Sequence, residues 1–348
     1  MILLAPDKFK GTMSAREVAD AMSRGLRRAG VSDDVVFLPM ADGGEGTPEA
    51  FDAEPVSGVS GAYRLSDDAV LVMSCSLAGA NLLSLSPEVR SSALVGEAVM
   101  RLAPRFRDIY IGIGGTSSAD AGAGFLYSLG WTFVDSSGRR IDEVPTPAVL
   151  ARRGLSEVIP SGVDGPGLVG LCDVACPMLP CDGLSSLSAM DFVRQKGFVS
   201  HSQRAVVANA FALVASCVAS SLPAFGGAGG GLGYAVGAVP GSKCRLGAEA
   251  VIDFHYGLFE GARLVITGEG SIDEQTAGGK CVDSIFRYCC RRSVPVLAVG
   301  GRVTDATRYP MTIACQAADA PLPDKRTAMN LVSDAVAEWA SENLVFCK

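Results

Sequence analysis

Histidine is nearly missing from this chain: His201 and His255 are the only two in 348 residues. That excludes a histidine-built metal centre or a multi-histidine proton relay. The eleven cysteines are odd in number and scattered, and no paired CxxC units occur, so the usual structural zinc signature is absent too. Aromatic residues make up 7%, too few for stacking platforms that hold bases or sugars. Basic charge is short as well. With 30 Lys and Arg against 37 Asp and Glu, the net charge of −7 disfavours a nucleic-acid surface, which needs a basic stripe to displace counterions. The opening apolar run, Met-Ile-Leu-Leu-Ala, is too short for a signal peptide. The most membrane-like stretch, 205–222, is interrupted by Asn209, Ser216, Ser220 and Ser221 and is at the short end of a ~20-residue span. It is expected to be a buried helix, in a soluble, cytoplasmic protein with reduced thiols. Cysteines then act mostly as small buried hydrophobes.

What remains is rich in apolar residues (48%) and in glycine (41 residues), and long enough for two domains at ~150 residues each. Short aliphatic runs alternate with helical stretches, which predicts an α/β protein with a largely parallel sheet. Strands are expected over 2–5, 35–40, 69–73, 109–113, 168–172, 264–267, 296–299 and 311–314. Ser14 followed by Glu17 reads as a capping box, and Gly30 sits where a C′ glycine belongs. Thr47, with Pro48 and Glu49 after it, reads as an N-cap. The middle of the chain is richer in Gly, Ser and Pro and poorer in charge. The two ends read as plain βα units. We therefore expect a Rossmann-like parallel-sheet domain built from residues 1–56 and 246–348, with a mixed α/β domain, 57–245, inserted between them.

Glycine-rich turns recur where strands end or helices begin: DGGEG at 42–46, GIGGTSSADAGAG at 112–124, GGAGGGLG at 226–233, GEGS at 268–271, and Gly300-Gly301. At the carboxyl end of a parallel strand, such a turn points backbone N–H groups at a helix N-terminus and forms an anion site without a basic side chain. Taken singly, each is equally a tight turn that only glycine can make. GxxxxGK[ST], GxSxG and the protein-kinase set are absent. The only GxGxxG, ending at Gly170, leads into a strand and is misplaced for dinucleotide binding. Carboxylates sit beside these glycines at Asp42, Glu45, Asp120, Asp173, Glu269 and Asp273, and lysines lie near similar loops at Lys10 (after Asp7), Lys196 and Lys280. Phosphoryl transfer asks for that inventory: carboxylates to hold Mg²⁺ or accept a hydroxyl proton, lysines and amides to neutralise the moving phosphate.

In order along the chain, these segments resemble the type 1 glycerate kinase family. The matching stretches are Ala5-Pro-Asp-Lys-Phe-Lys-Gly11, Pro39-Met-Ala-Asp-Gly-Gly-Glu-Gly-Thr47, Ile111-Gly-Ile-Gly-Gly115 with Asp120, and Cys172-Asp-Val174. Gln195-Lys-Gly197, Gly229-Gly-Gly-Leu-Gly233 and Ile266-Thr-Gly-Glu-Gly270 with Asp273, Gln275 and Gly279-Lys280 complete the set. The resemblance spans roughly residues 1–302. It implies an enzyme that phosphorylates D-glycerate with Mg²⁺ and ATP, in a two-domain α/β fold whose active site is the cleft between domains. Monomer or homodimer, it would need no nucleic acid and no membrane. Under that resemblance Asp42, with the Gly43 and Gly44 amides, positions substrate together with Asp7, Glu45 and Lys196. Asp173 orients or deprotonates the attacking hydroxyl. Lys10 and Lys280 neutralise phosphate, Glu269 or Asp273 holds Mg²⁺, and Gly114, Gly115, Asp120, Gly230 and Gly231 are candidates for the nucleotide. The chain departs from the family pattern at Val72, Ala119, Ala121, Ala175 and Cys176. A kinase of another small hydroxy acid, or a decayed copy that only binds ligand, are the alternatives.

Overall fold

Ile2, Leu3 and Leu4 form a strand buried on both faces, which is why its sequence is a continuous apolar run instead of an alternation. The computed structural model to which this strand belongs describes residues 1–162, 167–180, 188–189, 200–274, 276 and 279–344. These fall into two compact units, 1–41 with 248–348, and 42–247.

In the first unit five strands, all parallel, lie in the order Thr312–Ala314, Val296–Val303, Leu264–Ile272, Ile2–Leu4, Val35–Phe37. The helix Ala15–Arg28 begins at the capping box foreseen in the sequence, with Ser14 and Glu17 bonding reciprocally, and ends before Gly30 at φ +76°. Its buried stripe of Val18, Met22 and Leu26 packs with Leu297, Val299 and the C-terminal helix residues Val332 and Val336. Gly25 permits the close crossing: a Cβ there would lie 2.6 Å from the Ser333 carbonyl oxygen. On the other face of the strand Val296–Val303, Ala298 packs with Val282 of the helix Cys281–Cys290. The sheet is thus covered on both sides.

Two glycine segments expected as turns are strand. Residues 268–271 and Gly300-Gly301 stay inside the longest pair of the sheet, with Gly268 opposite Val299 and Glu269 opposite Gly300. Their glycines answer to close packing, since a Cβ on Gly268 would stand 2.4 Å from the Val299 carbonyl oxygen.

In the second unit a six-stranded sheet follows chain order across its width. Glu54–Pro55 and Ala62–Arg64 form an antiparallel edge, and Ala69–Met73, Asp108–Gly112, Gly167–Cys172 and Lys243–Leu246 are parallel. A separate antiparallel pair joins Thr132–Val134 to Glu157–Ile159. Of the uncharged stretch 205–222, expected as a buried helix, residues 205–217 belong to the helix His201–Cys217, capped by Ser200 and Gln203, and 218–222 lie beyond it. Only one face is buried, with Val207, Ala210, Phe211 and Val214, while Ala205, Asn209, Ala212 and Ser216 are exposed. Among the described residues no helix is long and apolar enough to cross a membrane. Residues 42–56, grouped by sequence with the terminal unit, cluster with this one. The reason is backbone contact: the Gly114 N–H donates to the Gly43 carbonyl at 3.1 Å.

Candidate active site

The first unit's chain enters its sheet at Ile2–Leu4, steps one way to Val35–Phe37, and returns on the opposite side at Leu264–Ile272. Strand order therefore reverses between Ile2–Leu4 and Leu264–Ile272, and in open parallel sheets ligands bind outside the carboxyl ends of the strands at such a point. Beyond Leu4 the chain stays in contact with the strand Leu264–Ile272. The Ala5 N–H donates to the Ile266 carbonyl at 2.8 Å and the Asp7 N–H to the Gly268 carbonyl at 2.9 Å. Buried Thr267 donates its hydroxyl to the Ala5 carbonyl at 2.9 Å. Gly270 keeps the approach close, because a Cβ there would come within 3.4 Å of the Lys10 nitrogen.

This places Asp7 and exposed Lys10, just past the end of Ile2–Leu4, alongside the later half of the strand Leu264–Ile272, which carries Glu269 and is followed by Asp273. The Asp7 carboxylate accepts the Lys8 N–H at 2.7 Å. Glu269 is only 6% exposed and accepts the hydroxyl of Thr276, which is completely buried. Asp273 accepts the Ser271 hydroxyl at 3.3 Å. Lys280 is the N-cap of the helix Cys281–Cys290, and its turn is held by Ser284, whose N–H donates to the Lys280 carbonyl and whose hydroxyl donates to Gly279. Thr276 and Ser284 were not singled out in the sequence. The available signal was their spacing, three and four residues beyond Asp273 and Lys280.

The second unit gathers Asp42 and Asp173 at the carboxyl edge of its own sheet. Gly43, at φ +93°, lies so close to the strand Gly167–Cys172 that a Cβ would stand 2.2 Å from the Leu171 carbonyl oxygen. Asp173 follows that strand directly. One expected role changes here. The Gly44 N–H, expected to hold substrate, donates to Asp42 Oδ1 at 3.1 Å and closes a local turn. Thr47 is not an N-cap: Gly46 is, at φ +92°, the helix Thr47–Ala50 is a single turn, and the Thr47 hydroxyl donates back to the Gly44 carbonyl at 2.6 Å. Glu45 is exposed. Lys196 and Gln275 lie outside the described residues.

The remaining glycine loops lock onto each other. Gly229, Gly230 and Gly231 all take positive φ, and the Ala121 N–H donates to the Gly230 carbonyl at 3.1 Å. A Cβ on Gly230 would lie 2.1 Å from the Ser118 oxygen, and one on Gly231 2.3 Å from Ala121 Cα. Backbone packing accounts for Gly230 and Gly231 without a phosphate. Gly114 is buried against Gly44, while Gly115 is exposed at φ +75°.

Asp120 is a correction in kind. Its carboxylate is fully buried and accepts five hydrogen bonds, from the Ser92, Gly122 and Gly124 N–H groups and the Ser91 and Ser92 hydroxyls. It clamps the starts of the helices Ala93–Leu102 and Ala123–Ser128, where negative charge is favourable. Burial still pushes its carboxyl up, against the hydrogen bonds from Ser92, Gly124 and Ser91. A group so enclosed has no face left for a nucleotide.

Most departures from the family pattern are packing positions. Val72, Ala119, Ala121 and Cys176 are buried, and Ala175 alone is exposed. Ala121 holds φ +55°, a left-handed conformation that suits the glycine of the family pattern. Beside Asp173, the fully buried Cys172 thiol is held protonated by the hydrogen bond with Cys244 and by burial. Nine cysteines are free thiols among the described residues.

No group of three or more His, Cys, Asp or Glu side chains placed to hold a metal occurs among the described residues. A protein-only cage is thus absent from them, but Mg²⁺ is commonly held by one or two carboxylates with substrate phosphates completing its shell. Glu269 and Asp273 fit that lighter requirement.

A model of the glycerate kinase family matches residues 2–342 of this chain. The glycerate kinase of Bacillus cereus is 31% identical over 338 residues, covering 87% of this chain and 85% of that one. The glycerate 2-kinase of Escherichia coli K12 is 31% identical over 340 residues, with 87% and 86% covered. The crystal structure of a putative glycerate kinase 2 from Salmonella typhimurium LT2 matches with a TM-score of 0.73 at 26% identity, covering 98% of this chain and 97% of that one.

Proposed function

Because the chain belongs to the glycerate kinase family, we propose that this kinase transfers the γ-phosphoryl group of ATP to D-glycerate, giving phosphoglycerate and ADP. The observation that carries the reading is the strand-order reversal in the first unit, where Asp7 and Lys10 follow the end of Ile2–Leu4 alongside the strand Leu264–Ile272, whose later half carries Glu269 and after which Asp273 comes. Carboxylates for a divalent cation beside a lysine for phosphate suit Mg·ATP at such a point.

The residues divide the work as follows. Lys10 and Lys280 offset the charge that spreads over the phosphoryl oxygens as the bond to ADP breaks. Glu269 and Asp273 would hold Mg²⁺, which when bound neutralises the β- and γ-phosphates. Asp173 orients the acceptor hydroxyl and takes its proton as oxygen attacks the γ-phosphorus. Asp42, its carboxylate fixed by the Gly44 N–H, positions the acceptor with Asp7, Glu45 and Lys196. Gly114 is buried with its N–H donated to the Gly43 carbonyl, which leaves exposed Gly115 as the glycine-loop candidate for phosphate contact. The protein acts in the cytoplasm, as monomer or homodimer.

A second acceptor is favoured by one feature. Exposed Ala175 and buried Cys176 follow Asp173, where the family pattern has Thr-Asn, so the polar groups available to an acceptor there differ.

The test is ADP release by purified protein with Mg·ATP and D-glycerate, against L-glycerate, glycolate and no acceptor. Stereospecific turnover on the order of 1–100 s⁻¹ is expected. Asp173→Asn or Asp42→Asn should lower it by orders of magnitude with the fold intact. Absence of turnover with D-glycerate from a folded sample would refute the reading, and turnover with another hydroxy acid would favour the second.

A further inference from the structure

Thr276 is a buried polar group that the mechanism above leaves unused. Its hydroxyl donates to Glu269 Oε1 and accepts the Asp273 N–H at 3.1 Å, and its own N–H donates to the Asp273 carbonyl at 3.0 Å. A hydroxyl has one proton, so donation to Glu269 fixes the direction of the whole chain: Asp273 N–H to Thr276, Thr276 to Glu269. Neighbouring Thr267, equally buried, shows the ordinary alternative by donating its hydroxyl to a backbone carbonyl, that of Ala5. Thr276 gives its proton to a carboxylate. Charge-assisted hydrogen bonds of this kind are shorter and stronger than neutral ones, and they set side-chain orientation.

The geometry points to Thr276 as a positioning residue that locks the Glu269 carboxylate to the Asp273 turn, so that the two carboxylates meet a divalent cation as one preorganised pair. This rests on the reading that Glu269 and Asp273 hold Mg²⁺. Thr276 acts through them and does not touch the reacting atoms. Residues that orient a ligand in this way typically carry a 10–100-fold share of metal affinity.

The experiment uses the full chain with ADP and follows Mn²⁺ binding by electron paramagnetic resonance. Thr276→Val should weaken Mn²⁺ binding roughly tenfold or more, and Thr276→Ser should restore it to within about threefold of wild type. In turnover assays the loss should fall on the apparent KM for Mg²⁺ more than on kcat. If Thr276→Val fails to fold, Thr276→Ala removes the same hydroxyl without setting a methyl against Glu269. Mn²⁺ affinity unchanged in the hydroxyl-less variant, while Asp273→Asn abolishes it, would overturn the inference and leave the metal reading intact. Unchanged affinity in Asp273→Asn and Glu269→Gln as well would overturn both.

Discussion

Replacing Asp120 by alanine and by asparagine should give two very different costs. Four donors converge on Oδ2: the Ser92 N–H at 2.8 Å, the Ser92 hydroxyl at 2.9 Å, and the Gly124 N–H and Ser91 hydroxyl at 3.2 Å each. Oδ1 accepts the Gly122 N–H alone, at 3.2 Å. Asparagine can place its oxygen at the Oδ2 position and keep the four, but its NH2 then faces the Gly122 N–H and strands that one backbone donor, a cost of about 2 kcal/mol. Alanine strands three buried backbone donors. At about 1–3 kcal/mol for each unsatisfied group, offset in part by removing a desolvated charge, the cost is about 4 kcal/mol. That is a large share of a stability of about 5–15 kcal/mol. Urea unfolding in a Trp339→Phe background isolates the signal of Trp131, the other tryptophan, buried in the same core cluster as Ala121 and Phe125. The pH dependence has a defined sign. Burial raises the folded-state value of Asp120, so its proton-linked contribution is fully present below the ordinary carboxylate value and is lost as pH rises through the folded one. Asparagine lacks that contribution, and wild type should gain on it as pH falls from 8 toward 4. Equal costs for the two variants, or a gap independent of pH, would refute the account.

Gly230→Ala, which combines positive φ with a 2.1 Å approach to the Ser118 oxygen, should cost about 3 kcal/mol or more, whereas Gly241→Ala, at φ +76° with open space around it, should cost about 1 kcal/mol; comparable melting temperatures would contradict this. Ser14→Ala should lose about 1 kcal/mol at pH 7. Glu17 is held down to about 2 by Lys325 and by the Ser14 bonds. Its contribution is present above the ordinary carboxylate range and lost as pH falls toward 2, so the Ser14→Ala deficit should shrink in acid denaturation. Burial, with Cys290 beside it, pushes the Cys289 thiol up to about 12, so iodoacetamide at pH 8 should modify exposed Cys290 and spare Cys289 in native protein. Mass spectrometry finding Cys289 labelled first would show that the helix opens there.

The features legible in advance were those that close over a few residues. The Ser14–Glu17 box, the Gly30 terminus and the helix around Val207 to Val214 depend on neighbours in sequence, and each stands as its residue types dictate. The GEGS segment shows the opposite case. Glycines after an apolar run read as a turn, yet Gly268 and Glu269 continue a strand because Val299 and Gly300, some thirty residues on, pair with them. The same holds for Asp42-Gly43-Gly44. Its glycines were conspicuous, but only the approach of Leu171 and Gly114 revealed that they serve close packing and move the boundary of the second unit from 57 to 42.

Residue types in order were sufficient for the α/β class, for the family resemblance, and for the inventory of carboxylates, lysines and glycine loops that phosphoryl transfer requires. The tertiary structure alone distinguished among carboxylates that look alike in a string. Asp120 and Asp273 both sit near glycines, yet the first is sealed under two helix starts and the second stands at the reversal point of a parallel sheet. Capping, periodicity and turn chemistry act over one helical turn or one strand pair and so are written locally. Burial depth, hydrogen-bond saturation and strand order are set by segments brought together from distant parts of the chain, and no local pattern records them.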